Sequence, residues 1–453
     1  MDGTSNPSGA DTALYRPCPK EYNEAQNGAA AANAFDFDRN EGFAMNLTER
    51  FLHYVSFDTQ STSENPEQRV PSTPGQMTLA LDIARELTAI GVQNVRTNDN
   101  AFVVGEIPAT PGCEDKPVIG FLAHMDTAED ASGKDIKARI EKNYNGGTIT
   151  LNAEKGITMS PADYPSLASY VGMDLIVTDG TTLLGADDKA GVAEIVTMAQ
   201  YLLEHPEIPH GIVKIAFTPD EEVGGGIDLF DVEGFGAQFA YTVDGGTLGE
   251  IEYENFNGAD AQVVVHGVSI HPGSSKNAMV NAILLGMEFD RMLPPDQKPC
   301  YTDRYEGFFH LYDFQGSVER TELNYIIRDH DMEKFTQKKQ TILDIAQYLN
   351  HKYGEGTFEA TVTDSYYNMK EKILPHMHLI ENAKAAFSAC GVEPRVVPIR
   401  GGTDGARLSF KGLPCPNLST GGENFHGRFE YIPVQSMEKM VETLVELVKI
   451  YAK

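Results

Sequence analysis

Tryptophan is absent from the 453 residues, and the five cysteines (Cys18, Cys113, Cys300, Cys390, Cys415) lie scattered without a Cys-x-x-Cys pair. An odd, dispersed set argues against a disulfide framework and against a thiolate zinc site, and points to a reducing compartment. Basic side chains are scarce as well: 36 lysines and arginines face 66 aspartates and glutamates, a net charge of −30. Such a surface repels phosphate backbones and anionic membranes, so nucleic acid is not an expected partner. No apolar run reaches the roughly 18 to 20 residues that span a bilayer, and no basic region followed by an apolar stretch stands at the N-terminus. The expectation is a cytoplasmic protein with no membrane contact.

The chain is longer than the roughly 250 to 300 residues at which single cores stop growing, so two domains are expected. Residues 1–44 are rich in Ala, Asn, Gly, Asp and Pro with poor hydrophobic periodicity, and read as a disordered extension or an over-long start. Met45 directly precedes an amphipathic helix, NLTERFLHYVSF. In the next helix Thr73 is the expected N-cap, Pro74 the first position, Gln76 the capping partner and Gly91 the stop. Strand and helix then alternate through GADDKAGVAEIVTMAQYLLEH, HGIVKIAFTPDEE and FAYTVDGG, the pattern of an α/β fold with a mixed, mostly parallel sheet flanked by helices. Over residues 256–367 the period changes to two, in AQVVVHGVSI and ERTELNYIIRDHD beside long amphipathic helices. That describes a smaller α+β unit inserted into the larger domain, whose segments are residues 45–255 and 368–453.

Within this frame, acids and histidines stand where apolar runs stop. FLAHMD ends on His124 and Asp126, LLGADDKAG delivers Asp187 and Asp188, IAFTPDEEVGGG delivers Glu221 and Glu222, and FAYTVDGG delivers Asp244. Sites in open α/β sheets gather beyond the carboxyl ends of strands, so these endings are expected to share one crevice. Asp126, two residues past His124, falls on the same side of an extended chain and suits a carboxylate that fixes the imidazole tautomer. Paired acids are ordinarily solvated, but both pairs here sit beside glycines rather than on helix faces. His426, in the glycine-rich TGGENFHG, adds a second imidazole. The set is the inventory of a two-metal hydrolase; zinc suits it, and cobalt or manganese would accept the same ligands.

The segments HMDT, LLGADDKAG, AFTPDEEVG, YTVDGG, HPG, YIIRD, DSYYNM, RGGTDGA and NLSTGG-N-HG stand in an order and spacing that resembles the peptidase T family, tripeptide aminopeptidases among the aminoacylase-like binuclear zinc peptidases. The likeness runs from about Met45 to the end. It implies that the inserted unit is a lid and that two zinc ions bind per subunit, one on His124 and Asp244, one on Glu222 and His426, with Asp187 bridging. It further implies that Asp126 orients His124, that Glu221 is the general base, and that the Asp187–Asp188 peptide is cis. For substrate it offers His271 of the lid HPG motif, Arg328 of YIIRD as partner of a substrate carboxylate, and the segment around Thr403. Each has a plainer reading: a loop histidine, an arginine paired with Asp329, and turn residues. Small peptides are the expected partners, with a homodimer through the lid as the candidate assembly. Two rivals remain at this level: an N-acyl-amino-acid amidohydrolase or carboxypeptidase on the same scaffold, and a peptide-binding protein without catalysis. NYNGG and SPADYPSL, between His124 and Asp187, match peptidase T and favour the aminopeptidase.

Overall fold

The computed structural model describes residues 45–453 apart from 66–67, so the expected extension over residues 1–44 lies outside the described residues. Asn46 opens the first helix, Leu47–Val55: its side chain accepts from the Glu49 N–H while Glu49 receives the Asn46 N–H, a reciprocal cap. The second helix, Pro74–Ile90, carries Thr73 at its N-cap and ends on left-handed Gly91 at φ 99°, as the pattern predicts. One detail differs. Thr73 accepts no backbone cap bond, and the Gln76 amide, besides donating to the Thr73 hydroxyl (3.2 Å), donates to Asp220 (2.6 Å) and receives the Asp220 N–H (3.0 Å). Residues read as a cap thus anchor the loop that carries Glu221.

Eight strands build the main sheet in the order Gln93–Thr97, Val103–Ile107, Val213–Thr218, Ile119–His124, Phe239–Gly245, Asn417–Ser419, Glu250–Glu252, Arg395–Val396. The third to sixth of these run parallel, with His124 opposite Thr218 and Leu122 opposite Thr242, so their carboxyl ends open on one edge. Alternation assigns the two faces. Phe121 stacks on Tyr241, whose hydroxyl meets that of Tyr451 in the C-terminal helix Val434–Tyr451 (2.7 Å), while Leu122, Ala216 and Ala240 join Phe230 and Leu408 opposite. Between the sheet and the C-terminal helix runs the buried helix Ala186–Glu204. It approaches the Asp244 strand closely only because residue 191 is glycine; a Cβ there would lie 1.9 Å from the Val243 carbonyl oxygen. The run LLG before Asp187 is not a strand, contrary to expectation: Asp187 and Asp188 lie at the start of this helix, across a cis peptide. The sequence reading also did not separate the short strands Arg139–Glu141 and Leu175–Val177, which pair with each other; Leu175–Val177 also pairs with Tyr431–Pro433.

A second, antiparallel sheet orders Phe308–Gly316, Arg320–Asp329, Asn257–His266 and Phe358–Tyr366, and packs with helices Ala282–Met292 and Met332–Tyr353 around Phe289, Leu323, Ile327, Phe335 and Ile342. Asparagines stitch the two chain crossings that join it to the main sheet. Asn255 donates to the Tyr367 carbonyl (3.1 Å) and receives the Met369 N–H (2.7 Å), while Asn257 donates to the carbonyls of Asp329 (3.0 Å) and His330 (3.1 Å) and receives the Asn368 N–H (2.9 Å). Among the described residues no helix is long and apolar enough to cross a membrane.

Arg50, wholly buried, joins the first helix to the second and to the Ala186–Glu204 helix by donating to Glu86 (2.8 Å), Thr197 (2.5 Å) and Gln200 (2.7 Å). Arg50→Ala leaves the Glu86 carboxylate without its cation, and a loss of about 3–5 kcal/mol is expected in denaturant unfolding. An unfolding midpoint equal to that of the parent would show that the three helices are held together without this residue.

Candidate active site

The parallel strands deliver their side chains to one crevice. His124, last residue of its strand and 2 % exposed, places Nε2 2.9 Å from Asp187 Oδ1 and 3.3 Å from Asp244 Oδ1. Its other nitrogen, Nδ1, lies 3.3 Å from Asp126 Oδ1 and 3.1 Å from the Asp126 carbonyl oxygen. Asp126 also reaches the acidic pair, because its two carboxylate oxygens accept the N–H groups of Glu221 (3.0 Å) and Glu222 (3.1 Å). One buried carboxylate therefore sets both an imidazole and the two glutamates. His426 Nε2 lies 3.0 Å from Glu222 Oε2 and 3.2 Å from Asp187 Oδ2, and its Nδ1 is 3.3 Å from Asp130 Oδ2. Asp187 thus faces one imidazole with each oxygen. His426 has φ of 61°, a left-handed conformation uncommon for a residue with a side chain and often met at functional sites.

Adjacent acids in the chain play different parts. Asp188 spends one oxygen on the His124 N–H (3.0 Å) and the other on the Gly191 N–H (3.2 Å), so although it lies within ligand distance of His124 and Asp244, its lone pairs are engaged by backbone. Asp187 keeps both oxygens for imidazoles. Glu222 leans on His426, whereas the Glu221 carboxylate makes no hydrogen bond or ion pair among the described residues.

Charge crowding shows in the protonation. Burial and the Asp187 charge push Glu222 up to about 7; burial and Asp187 push Asp244 up to about 6 against the pull of His124. Burial, with Asp244, Asp404 and Glu222 adding, holds Glu221 well above the glutamate range. Burial also opposes the charge on Asp187, but His124 and His426 outweigh it and keep its carboxyl well below the usual range. Asp187 and Glu222 push His426 up to about 11. Without cations, the cluster is charge-balanced only by protons on its imidazoles and acids. Glu222 Oε1 is in addition buried with no hydrogen-bond partner. Hard and borderline cations fit this donor set, with no thiolate, two imidazoles and carboxylates that lack backbone donors; His124, Asp187 and Glu222 form one group whose ligand atoms all lie within 4.8 Å of one another.

The three expected substrate residues fall in different places. Arg328 stacks its guanidinium on Tyr366 (4.9 Å) and donates to the carbonyls of Ala259 (3.2 Å) and Ile327 (3.0 Å), in space left by Gly258, where a Cβ would come within 3.0 Å of Nη1. It has no carboxylate partner among the described residues, since Asp329 pairs instead with Lys338 (3.4 Å). The Tyr366 ring lies beside Gly402 of the RGGTDG segment, so Arg328 stands behind a residue that meets that segment. Thr403 caps the helix Asp404–Phe410, its hydroxyl engaged by Asn417 Oδ1 (3.2 Å) and the Gly405 N–H (3.3 Å). The structure does not bring His271 to the cluster: it is exposed, and Nδ1 accepts from the Gly273 N–H (3.1 Å) of its own turn.

Three acids escape the sequence reading. Asp404 lies buried beside Thr218 (2.8 Å) within the field of His124 and Asp244, and burial pushes it up to about 7. The sequence pattern marks only its neighbour Thr403, although both share RGGTDGA. Glu430, buried four residues past His426, precedes the short apolar strand Tyr431–Pro433 and gives no signal beyond that proximity. Asp130 follows Glu129 in AED and reads as a solvated pair.

Residues 179–450 match the model of peptidase family M20/M25/M40. A protein named peptidase T from Alkaliphilus oremlandii is 54% identical over 409 residues, covering 90% of this chain and 100% of that protein. Among solved structures, the aminopeptidase PepT from Bacillus cereus superposes with a TM-score of 0.69 at 24% identity, over 90% of this chain and 98% of that one. A Bacillus subtilis protein described as a dinuclear metal binding peptidase of the M20 family gives 0.60 at 15% identity, over 90% and 97%. At these identities the two structures show a shared fold.

The protonation directions fix a pH dependence. Glu222, Asp244 and Asp404 are all raised, so the folded, metal-free protein binds more protons than the unfolded chain between about pH 4 and 7, and stability falls as pH rises through that window. Raised His426 acts in the same direction: its contribution is complete below the unfolded imidazole value near 6.5 and is lost toward 11. Cation binding needs deprotonated ligands and runs oppositely. The melting temperature of chelator-treated protein is expected to fall from about pH 5 to about pH 8, and zinc added at the upper end is expected to restore it. A metal-free melting temperature that rises over this interval would contradict the site's electrostatics.

Proposed function

This chain belongs to peptidase family M20/M25/M40, in the peptidase T group, and we propose on that footing that it is a two-cation aminopeptidase releasing the N-terminal residue of tripeptides. That it is a peptidase follows from the membership; the cation pair, the base and the length of the substrate are the proposal. The observation that carries it is the split in the acidic pair. Asp126 grips both backbone N–H groups, yet Glu222 turns to His426 and Glu221 is left with a free carboxylate. A hydrolase of this type needs one acid that ligates and an adjacent one that does not.

His124 and Asp244 would hold one cation, Glu222 and His426 the other, and Asp187, with one oxygen toward each imidazole, would serve both. Such a pair supplies Lewis acidity that lowers the pKa of a water and polarises the scissile carbonyl. Zinc is the proposed ion, with cobalt or manganese able to replace it. Glu221 takes the proton of the attacking water on its carboxylate and delivers it to the nitrogen of the departing amine; burial and neighbouring acids raise its basicity toward that of the groups it exchanges with. Asp126 keeps the His124 ring in place through Nδ1. Arg328, which has no carboxylate partner among the described residues and lies over the Tyr366 ring, is the proposed partner of the peptide's C-terminal carboxylate, through two parallel bonds. The unit over residues 256–367 then acts as a lid whose closure sets peptide length. The four described cysteines are free, in keeping with a reducing cytoplasmic location.

Glu221→Ala is expected to lower kcat by roughly 10² to 10⁴ while both ions stay bound, whereas Glu222→Ala loses an ion as well as activity. Metal analysis of the two variants decides; opposite metal contents would reverse the assignment within the pair.

Substrate variants test the two anchors. N-acetylated tripeptides are expected to be poor substrates, because they lack the α-ammonium that an acidic crevice favours. Arg328→Ala should impair hydrolysis of a tripeptide acid far more than that of its C-terminal amide. Equal losses on acid and amide would make Arg328 structural.

A further inference from the structure

From the geometry we infer that Glu430 is a positioning residue that fastens the His426 loop to the backbone of Asp187, and so fixes two of the groups proposed to hold the cations; this rests on the metallopeptidase reading above.

Glu430 is 2 % exposed, and no lysine or arginine pairs with it among the described residues. Three backbone donors meet its carboxyl instead. Oε2 accepts the N–H groups of Leu184 (2.6 Å) and Gly185 (2.8 Å), and Oε1 accepts that of Asp187 (3.1 Å). A buried carboxylate is tolerated only with such compensation, and bonds from N–H groups to an ionised acceptor are among the stronger ones. All three donors belong to the turn that opens the Ala186–Glu204 helix, where left-handed Gly185 (φ 79°) turns the chain into Asp187.

The other end of the link is equally fixed. Glu423 and Tyr431 exchange two backbone hydrogen bonds (2.9 and 3.1 Å), which close the loop that carries His426. Asn424 donates across it to the Phe429 carbonyl (3.0 Å), and Tyr431, fully buried, meets Ser166 through its hydroxyl (2.8 Å). Glu430 therefore projects from the pinned base of one loop into the other. Because Asn424 and His426 both hold left-handed backbone, at φ 60° and 61°, the His426 loop depends on such ties to keep its shape. Partners that orient metal ligands commonly change metal affinity by 10- to 100-fold when removed.

Substitutions at Glu430 have unequal consequences. Glu430→Ala removes all three acceptors. Glu430→Gln keeps one oxygen, which can serve Leu184 and Gly185, but turns its NH2 group against the Asp187 N–H. The comparison variant is Glu423→Gln, in the same loop: Glu423 accepts from Tyr170 (2.5 Å) and Thr247 (3.0 Å) and touches no backbone of the Asp187 turn.

The test is Co²⁺ binding to the metal-free full chain, measured by competition with a chelator and by the visible spectrum of the loaded protein, with folding checked by circular dichroism. Glu430→Ala is expected to weaken Co²⁺ binding by about 10- to 100-fold. Glu430→Gln should lie between it and the parent, with a shifted Co²⁺ spectrum, and Glu423→Gln should bind as the parent does. Parent-like binding by Glu430→Ala, or an equal loss in Glu423→Gln, overturns the positioning role. If the alanine variant does not fold, the glutamine variant decides, and its unchanged affinity and spectrum overturn the inference. A parent that binds no Co²⁺ overturns the metallopeptidase reading itself.

Discussion

Carboxylates crowded at the open end of a parallel sheet repel one another, and much of the structure answers that repulsion. Two unit charges about 4 Å apart interact by about 4 kcal/mol at the effective dielectric of a protein, so an uncompensated cluster of this size could not persist in a folded chain. The acids divide into two sets. Asp126, Asp188 and Glu430 spend their oxygens on backbone N–H groups, Asp220 spends its own on the Ser72 N–H and on the side chains of Ser72 and Gln76, and together they hold the loops in position. Asp187, Glu222 and Asp244 have no such donors on their carboxylates and face His124 and His426 instead. The first set makes the second possible. Fixed by their neighbours, the open acids converge where protons or cations must balance them, and that is the property a binuclear hydrolase needs.

Much of this is legible in the sequence because parallel strands leave long apolar runs that stop abruptly. His124, Glu221 with Glu222, and Asp244 are each marked by where such a run ends, and the strands Ile119–His124, Val213–Thr218 and Phe239–Gly245 place them together. Asp187 is marked for a different reason from the one that places it: it opens a helix, and the apolar LLG before it is buried turn rather than strand. Helix signals such as the Gly91 stop read well because caps are local. What the sequence hides is long-range. Gln76 looks like a capping residue until Asp220, 144 residues away, takes its amide. Glu430 and Asp404 acquire meaning only from chain segments far off in sequence, so no local pattern could reveal them.

The inserted unit contributes by a different logic. Its sheet and two helices bury a core of their own, and at the crossings to the main sheet the side-chain amides of Asn255, Asn257 and Asn368 bind backbone around the buried Phe256 ring. Amide-to-backbone bonds fix direction without filling a core, which suits a junction that must hold an angle between two units. From this unit comes Arg328, a cation with carbonyl and aromatic neighbours but no acid, in a chain with nearly twice as many acids as bases. That absence of an acidic partner is what singles Arg328 out as the proposed anchor for a substrate carboxylate.

The proposed chemistry turns on whether activity requires two cations per chain in this cluster. Equilibrium dialysis of metal-free protein against increasing zinc, with bound metal and tripeptide hydrolysis measured on the same samples, tests it directly. Hydrolysis is expected to rise with occupancy and to reach its maximum at two ions per chain. Full hydrolysis with no bound metal, or saturation at a single ion, would contradict that requirement.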